Sequence, residues 1–115
     1  MACNATFRRN GDVAIVDLSG RFTLRDASGV IRNAVLSLVN GGEKKILLNL
    51  ADVVHMDSAA GLGELIGSYT AVQKSGGQMK LLNAQKNVNE VLRITRLDTV
   101  FKIYSDETEA VQSFQ

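Results

Sequence analysis

The chain has 115 residues, of which 45% are hydrophobic and 22% charged, and this ordinary globular composition excludes intrinsic disorder. Its formal net charge of +1 offers no electrostatic argument for binding nucleic acid or a membrane surface. The single cysteine, Cys3, cannot form a disulfide within the chain, and the sequence holds no Cys/His cluster with metal-ligand spacing. No segment resembles a signal peptide or a membrane helix, so we expect one soluble cytoplasmic domain, residues 1–115, without metal or cofactor.

The N-terminal segment predicts a β-hairpin. Asn10-Gly11 separates Ala5–Arg9 from the apolar run Ala14–Leu18. Two strand-like runs on either side of an Asn-Gly pair are typical of antiparallel strands joined by a tight turn.

The next segment predicts the first helix. Thr23 with Asp26 three residues later is a variant of the capping box, in which Asp26 reaches back to the amide of the cap. Apolar residues follow at helical spacing, namely Leu24, Ala27, Ile31, Ala34, Val35 and Leu38. The helix is expected to end at Asn40, before a pair of glycines.

A strand and a second helix occupy the middle of the chain. The nearly continuous apolar run Ile46–Leu50 is typical of a central strand covered on both faces. A helix is predicted to open after Asp57-Ser58 and to close at Lys74 and Gly76-Gly77. Its expected apolar face comprises Leu62, Leu65, Ile66, Tyr69 and Val72.

The remaining elements complete an alternating pattern. We expect a strand over Met79–Leu82, a helix capped by Asn87 with Glu90, a strand over Val100–Tyr104, and a last helix opening at 105–107. Strands that alternate with helices predict an α/β fold with a mixed, mostly parallel sheet. This sheet would start with the N-terminal hairpin and carry about four helices.

The segment Val53–Gly63 is the strongest candidate for a functional site, because ligands of α/β sheets meet the loops after the strands. Several interpretations compete for it. Asp57 or Ser58 could simply cap the second helix. A nucleophilic Ser58 helped by His55 lacks the Gly-x-Ser-x-Gly elbow and a second histidine. A nucleotide cradle lacks the glycine spacing and the lysine of a P-loop.

The same residues carry a family resemblance. Leu48–Val53, then Met56-Asp57-Ser58 and Gly61-Leu62-Gly63, resemble the STAS domain of bacterial anti-sigma factor antagonists. The resemblance starts at Gly20–Thr23 and continues downstream through the last strand, so it covers nearly the whole chain. Thr23 departs from the aspartate that is common in this family.

The resemblance implies a non-enzymatic module that controls transcription without touching DNA. It implies binding to an anti-sigma factor that is itself a serine kinase, release when the serine after the aspartate is phosphorylated, and recovery through a phosphatase. That serine is Ser58. We expect a monomer or weak homodimer. The partner-binding residues implied by position and resemblance are Thr23, Arg25, Asp26, Asp57, Ala59, Gly61, Leu62 and Leu65.

A second departure from the family pattern leaves two alignments open. The family has one residue between the phosphorylated serine and the glycine, whereas this chain has two alanines before Gly61. Matched from the strand, Ser58 is the phosphoacceptor, and we adopt this match because it keeps Met56-Asp57-Ser58 intact. Matched from the helix, Ala59 takes the acceptor position, and the chain would be a non-phosphorylated scaffold or accessory subunit of a sensory or transport complex.

Overall fold

The computed structural model describes residues 3–23, 29–57 and 61–114. Within these ranges, five strands and four α-helices follow the predicted order. The strands are β1 (Asn4–Asn10), β2 (Val13–Phe22), β3 (Lys45–Met56), β4 (Gln78–Leu82) and β5 (Ile103–Tyr104). The helices are α1 (Val30–Asn40), α2 (Gly61–Lys74), α3 (Lys86–Ile94) and α4 (Glu107–Gln112), with a short 3-10 turn at Leu97–Thr99.

The strands form one mixed sheet in the order β1-β2-β3-β4-β5. β1 and β2 are antiparallel, and every later pairing is parallel. Asn10 pairs with Val13, so the hairpin turn consists of Gly11 and Asp12. Gly11 has a φ of +65°, a left-handed conformation that glycine adopts without strain. The predicted hairpin and mostly parallel sheet are confirmed.

Helices cover both faces of this sheet. Helices α1, α2 and α3 bury Val16, Leu18, Ile46 and Leu48 on one face, and α4 buries Val13, Ile15, Leu47 and Leu82 on the other. Because successive side chains of a strand point to opposite faces, Ile46, Leu47 and Leu48 enter the two cores in turn. The prediction of a central strand covered on both sides is therefore confirmed.

The start of the first helix was predicted wrongly. Helix α1 begins at Val30, and its N-cap is Gly29 with a φ of +85°. Thr23 is therefore not the cap, and the capping box with Asp26 is not the start of α1. Asp26, Leu24 and Ala27 lie outside the described residues. The amides at the start of α1 find their acceptors on another helix, which a local sequence pattern does not encode.

Three further details differ from the sequence prediction. Helix α3 has Gln85 as its N-cap, so Asn87 lies in the first turn and Glu90 pairs with Arg93. The side chain of Ile66, expected in the core, is 45% exposed. The last strand is only two residues long, because the chain turns before it. Phe101, expected in this strand, is instead buried edge-on against Tyr69, with ring centroids 5.2 Å apart.

Helix α2 carries a buried hydroxyl in the apolar layer. Ser68 is fully buried, and its Oγ has no hydrogen-bond partner among the residues that the structure describes. A buried polar group without a partner lowers stability, because the water that hydrated it in the unfolded chain is not replaced.

Replacing Ser68 by alanine should therefore stabilise the protein by about 1 kcal/mol and raise Tm by about 3–5 °C. Thermal and urea unfolding of S68A measure this change. S113A is the matched control and should be destabilised, because the Ser113 hydroxyl donates to the Ala110 carbonyl at 2.6 Å. A loss of stability in S68A would mean that its hydroxyl does have a partner in solution.

An ion-pair cluster links β1 to the start of α4. The Arg8 guanidinium holds both carboxylate oxygens of Glu107, at 2.9 and 2.6 Å, and its Nε donates to Asp17 at 2.6 Å. Asn10 also donates to Glu107 at 3.0 Å. Hydrogen bonds from Arg8, then from Asn10, lower the pKa of Glu107 from 4.5 to about 2.

Because the folded-state pKa of Glu107 is the lower one, its contribution to stability is complete above the unfolded pKa of 4.5 and is lost as the pH falls toward 2. The pair is about one-third exposed, so solvent screening limits the contribution to about 1 kcal/mol. The difference in unfolding free energy between wild type and E107Q should shrink from about pH 6 to about pH 3. A pH-independent difference between wild type and E107Q would contradict the assignment.

Candidate functional site

The carboxyl ends of β2 and β3 lie side by side. Phe22 pairs with Met56, and the amide of Asp57 donates to the carbonyl of Phe22 at 2.9 Å. This last hydrogen bond brings Thr23 and Asp57, both half-buried, to the same edge of the sheet. The two connections that lead to α1 and α2 therefore leave the sheet at one place.

β3 extends further into this site than the sequence predicted. β4 pairs with β3 only as far as Asn49, yet β3 continues to Met56. Side chains replace the missing neighbour strand: Gln85 donates to the carbonyl of Ala51, and Asn87 donates to that of Val54 at 2.8 Å. The segment Val53–Met56, expected to be a loop, is therefore strand, and the connection to α2 begins at Asp57.

Two irregularities in β3 turn its apolar residues inward. Relative to β2, β3 has one additional residue between Asn49 and Asp52, and a second at Val54. Such bulges shift the alternation of side chains between the faces of a sheet. As a result Leu50, Val53 and Met56, spaced by three residues, all enter the core beneath α1 and α2.

On the far side of the two connections, α1 and α2 are joined by one carboxylate. Glu64, in the first turn of α2, accepts hydrogen bonds from three backbone amides at the start of α1. Its Oε2 accepts from Gly29 at 2.5 Å, and its Oε1 accepts from Ile31 at 3.0 Å and from Arg32 at 3.2 Å. A negative side chain is favourable at a helix N-terminus, where amides are unpaired and the dipole is positive.

Both connections are therefore anchored at each end by described residues. Residues 24–28 run between the end of β2 and the start of α1, and residues 58–60 run between the end of β3 and the start of α2. We call these stretches the bracketed segments. The described residues that flank them are joined on one side by the hydrogen bond from Asp57 to Phe22 and on the other by the hydrogen bond from Gly29 to Glu64.

The residues expected at the site divide into three groups. Thr23 and Asp57 are described and adjacent, and Gly61 is the first residue of α2. Leu62 and Leu65 are only 3% and 0% exposed, so they pack the core under the site rather than facing a partner. Outside the described residues, in the bracketed segments, lie Arg25, Asp26, Ser58 and Ala59.

Two glycines lie on the outer face of α2. Gly63 and Ile66 are exposed and Gly67 is half-buried, and a Cβ added to either glycine would meet no atom of the described residues within 4 Å. The monomer therefore has no packing reason for glycine at these two helical positions. Each glycine instead costs helix stability relative to alanine.

Sequence reasoning missed Glu64, Gln85 and Asn87 as parts of this site. The available signals were an acidic residue in the first turn of α2 and amide side chains after β4. Each of these residues bonds to a residue more than thirty positions away. Their roles could not be inferred from local spacing.

The described residues give no support for a metal site or a membrane-spanning helix. Among residues 3–23, 29–57 and 61–114, no group of three or more His, Cys, Asp or Glu could hold a metal ion. His55 is a half-buried strand residue paired with Arg21. A search of the described helices finds none with the length and hydropathy needed to span a membrane.

Comparison with known proteins identifies the family. The model of the STAS domain matches residues 4–110. A Thermotoga neapolitana protein named as an anti-sigma factor antagonist homologue is 39% identical over 77 residues, covering 67% of each chain. The anti-sigma-B factor antagonist of Bacillus subtilis is 30% identical over 112 residues, covering 97% of this chain and 100% of that protein.

Solved structures agree with this assignment. A Thermotoga maritima protein described as an anti-sigma factor antagonist superimposes with a TM-score of 0.82 at 25% identity, covering 96% of this chain and 93% of that one. The Bacillus cell fate determinant SpoIIAA in its phosphorylated form has a TM-score of 0.73 at 19% identity, covering 97% of this chain and 100% of that one, a likeness of fold alone. The chain belongs to the STAS domain family and, within it, to the anti-sigma factor antagonists.

Proposed function

We propose that this antagonist binds an anti-sigma factor through the bracketed segments and is released when Ser58 is phosphorylated. The observation that carries the proposal is that the described residues flanking both segments are joined, Phe22 to Asp57 at the edge of the sheet and Gly29 to Glu64 at the starts of the helices. We infer that a partner docking at this edge of the sheet contacts both segments as a single surface. One modified serine within that surface is then enough to control the whole contact.

Charge is the proposed basis of release. Phosphorylation adds about −1.5 to −2 charges at neutral pH, next to the carboxylate of Asp57. A partner packed on Ser58 would have to remove water from this dianion, and burying it unpaired costs several kcal/mol. The same charge near the start of α2 is favourable to the helix, so the phosphorylated protein should stay folded.

The proposed partner is an anti-sigma factor that also acts as the serine kinase, with a phosphatase to reverse the reaction. Two similarities support a cycle of this kind. The curated relatives carry the name of anti-sigma factor antagonist, and SpoIIAA, which shares the fold, has been solved with and without its phosphoryl group. In such a cycle the antagonist is the phosphorylated substrate and needs no catalytic group of its own.

The modification can be tested directly. The purified chain is incubated with ATP and each serine-kinase anti-sigma factor encoded in the same genome, and phosphopeptides are mapped by mass spectrometry. One kinase should modify Ser58, and S58A should remain unmodified but still bind that kinase. S58D and the phosphorylated protein should bind at least about tenfold more weakly, a loss of about 1.4 kcal/mol.

S75A is the control, because Ser75 lies at the far end of α2 and its hydroxyl donates to the Val72 carbonyl. It should be phosphorylated and bound like wild type. Equal affinity of the kinase for phosphorylated and unmodified protein would contradict the switch.

The outer face of α2 extends the proposed docking surface. Gly63, Ile66 and Gly67 face outward on the helix that follows Ser58 in the chain, and glycines let another backbone approach closely. A partner that packs here would explain why helix-weakening glycines occupy a face that the monomer leaves open.

Gly67→Ala separates binding from folding. It should raise the unfolding free energy by about 0.5–1 kcal/mol, because the added methyl group meets no atom and alanine favours the helix. It should also weaken kinase binding about tenfold. Urea unfolding and calorimetric titration measure the two effects, with Q73A near the other end of α2 as control. A stabilised G67A that binds as tightly as wild type would remove this face from the docking surface.

One observation favours the second candidate function, a constitutive scaffold or accessory subunit. β3 already accommodates two additional residues as bulges opposite β2. If β3 accommodated the extra residue as a further bulge, the chain would match the family pattern from the helix side. Ala59 would then take the acceptor position. Stable partner binding without transfer of phosphate to Ser58 would decide for the scaffold.

A further inference from the structure

We propose that Glu64 is a positioning residue of the docking surface, which holds the start of α1 against the start of α2 in the arrangement that the partner recognises. This inference rests on the proposed function. Glu64 lies in α2 and is not a sequence neighbour of Ser58. It accepts hydrogen bonds from backbone amides at the start of α1. The partner in question is the anti-sigma factor kinase.

The first step is that α1 depends on Glu64 for its N-terminal cap. Gly29 offers no side chain to cap the helix, and α1 has no acidic residue in its first turn. Within the helix, the amide of Asn33 bonds to the Gly29 carbonyl at 2.8 Å. Three amides that precede it in the chain all reach the carboxylate of Glu64, namely those of Gly29, Ile31 and Arg32.

The second step is that the same contact fixes α1 relative to α2. Gly29 and Glu64 are 35 residues apart in the sequence, so no local geometry brings them together. A carboxylate that accepts bonds on both oxygens is restricted in direction as well as in distance. The contact therefore sets where the start of α1 lies with respect to the start of α2.

The third step concerns binding energy. A partner that docks across the starts of α1 and α2 gains most when their relative position is already correct, because it then does not have to rearrange them. Without Glu64 the Phe22–Asp57 hydrogen bond would still hold the ends of β2 and β3 together. The start of α1, however, would lose its acceptors and its direct link to the start of α2.

The experiment combines hydrogen exchange with affinity. In E64Q the amides of Gly29, Ile31 and Arg32 should exchange at least about tenfold faster than in wild type, while core amides of β2 and β3 keep their protection. With the protein fully folded and without ATP, the affinity of E64Q for the kinase that modifies Ser58 should fall about tenfold. E64D, which keeps the charge on a shorter side chain, should recover part of both effects.

Two controls distinguish positioning from general destabilisation. E107Q removes an ion pair next to α4, on the opposite face of the sheet, and E90Q removes the exposed pair with Arg93 on α3. E107Q should lose stability, and both variants should keep wild-type affinity for the kinase.

Each outcome decides the inference. Faster exchange with reduced affinity in E64Q supports it, provided that E107Q binds normally. Faster exchange with unchanged affinity makes Glu64 a structural cap and overturns the inference, while the proposed function stands. Unchanged exchange at the three amides shows that the cap is absent in solution and overturns it as well. If wild type binds none of the kinases, the proposed function itself fails, and this inference fails with it.

Discussion

The parallel pairing of β2 with β3 is the constraint on which the rest of this structure depends. Parallel strands end at the same edge of a sheet, so the chain must leave β2 and β3 side by side. The hydrogen bond from Asp57 to the Phe22 carbonyl completes that pairing. Phe22 and Asp57 are more than thirty residues apart in the sequence, and this bond brings the described ends of the two connections side by side.

The described surroundings of the site are supported in two ways. Leu50, Val53 and Met56 fill the space beneath it, because bulges turn them all to one face. Gln85 and Asn87 donate to two carbonyl groups of β3 beyond β4, those of Ala51 and Val54, and so support the strand there. A change of charge in the bracketed segments can therefore act on a partner while the sheet beneath them remains intact.

Much of the fold could be predicted from patterns of apolar residues. The run Ile46–Leu50 indicated a doubly covered strand, and the glycines after Lys74 indicated the end of α2. The predicted start of α1 was wrong because a plausible capping pair, Thr23 with Asp26, competes with a cap supplied from α2. Ile66 has helical spacing with core residues but faces outward, because three apolar residues already fill that side of α2, namely Leu62, Leu65 and Val72.

The sequence by itself determined the order of the elements, the mixed sheet and the family resemblance, since these follow from local periodicity and from a motif within one connection. It also named the residues expected at the site, among them Asp57 and Ser58. Only the tertiary structure decided that β3 continues to Met56 and that Glu64 caps α1. Each of these features depends on which side chain meets an unpaired N–H or C=O group of the backbone. The packing of the folded chain, and not distance along the sequence, decides which side chain that is.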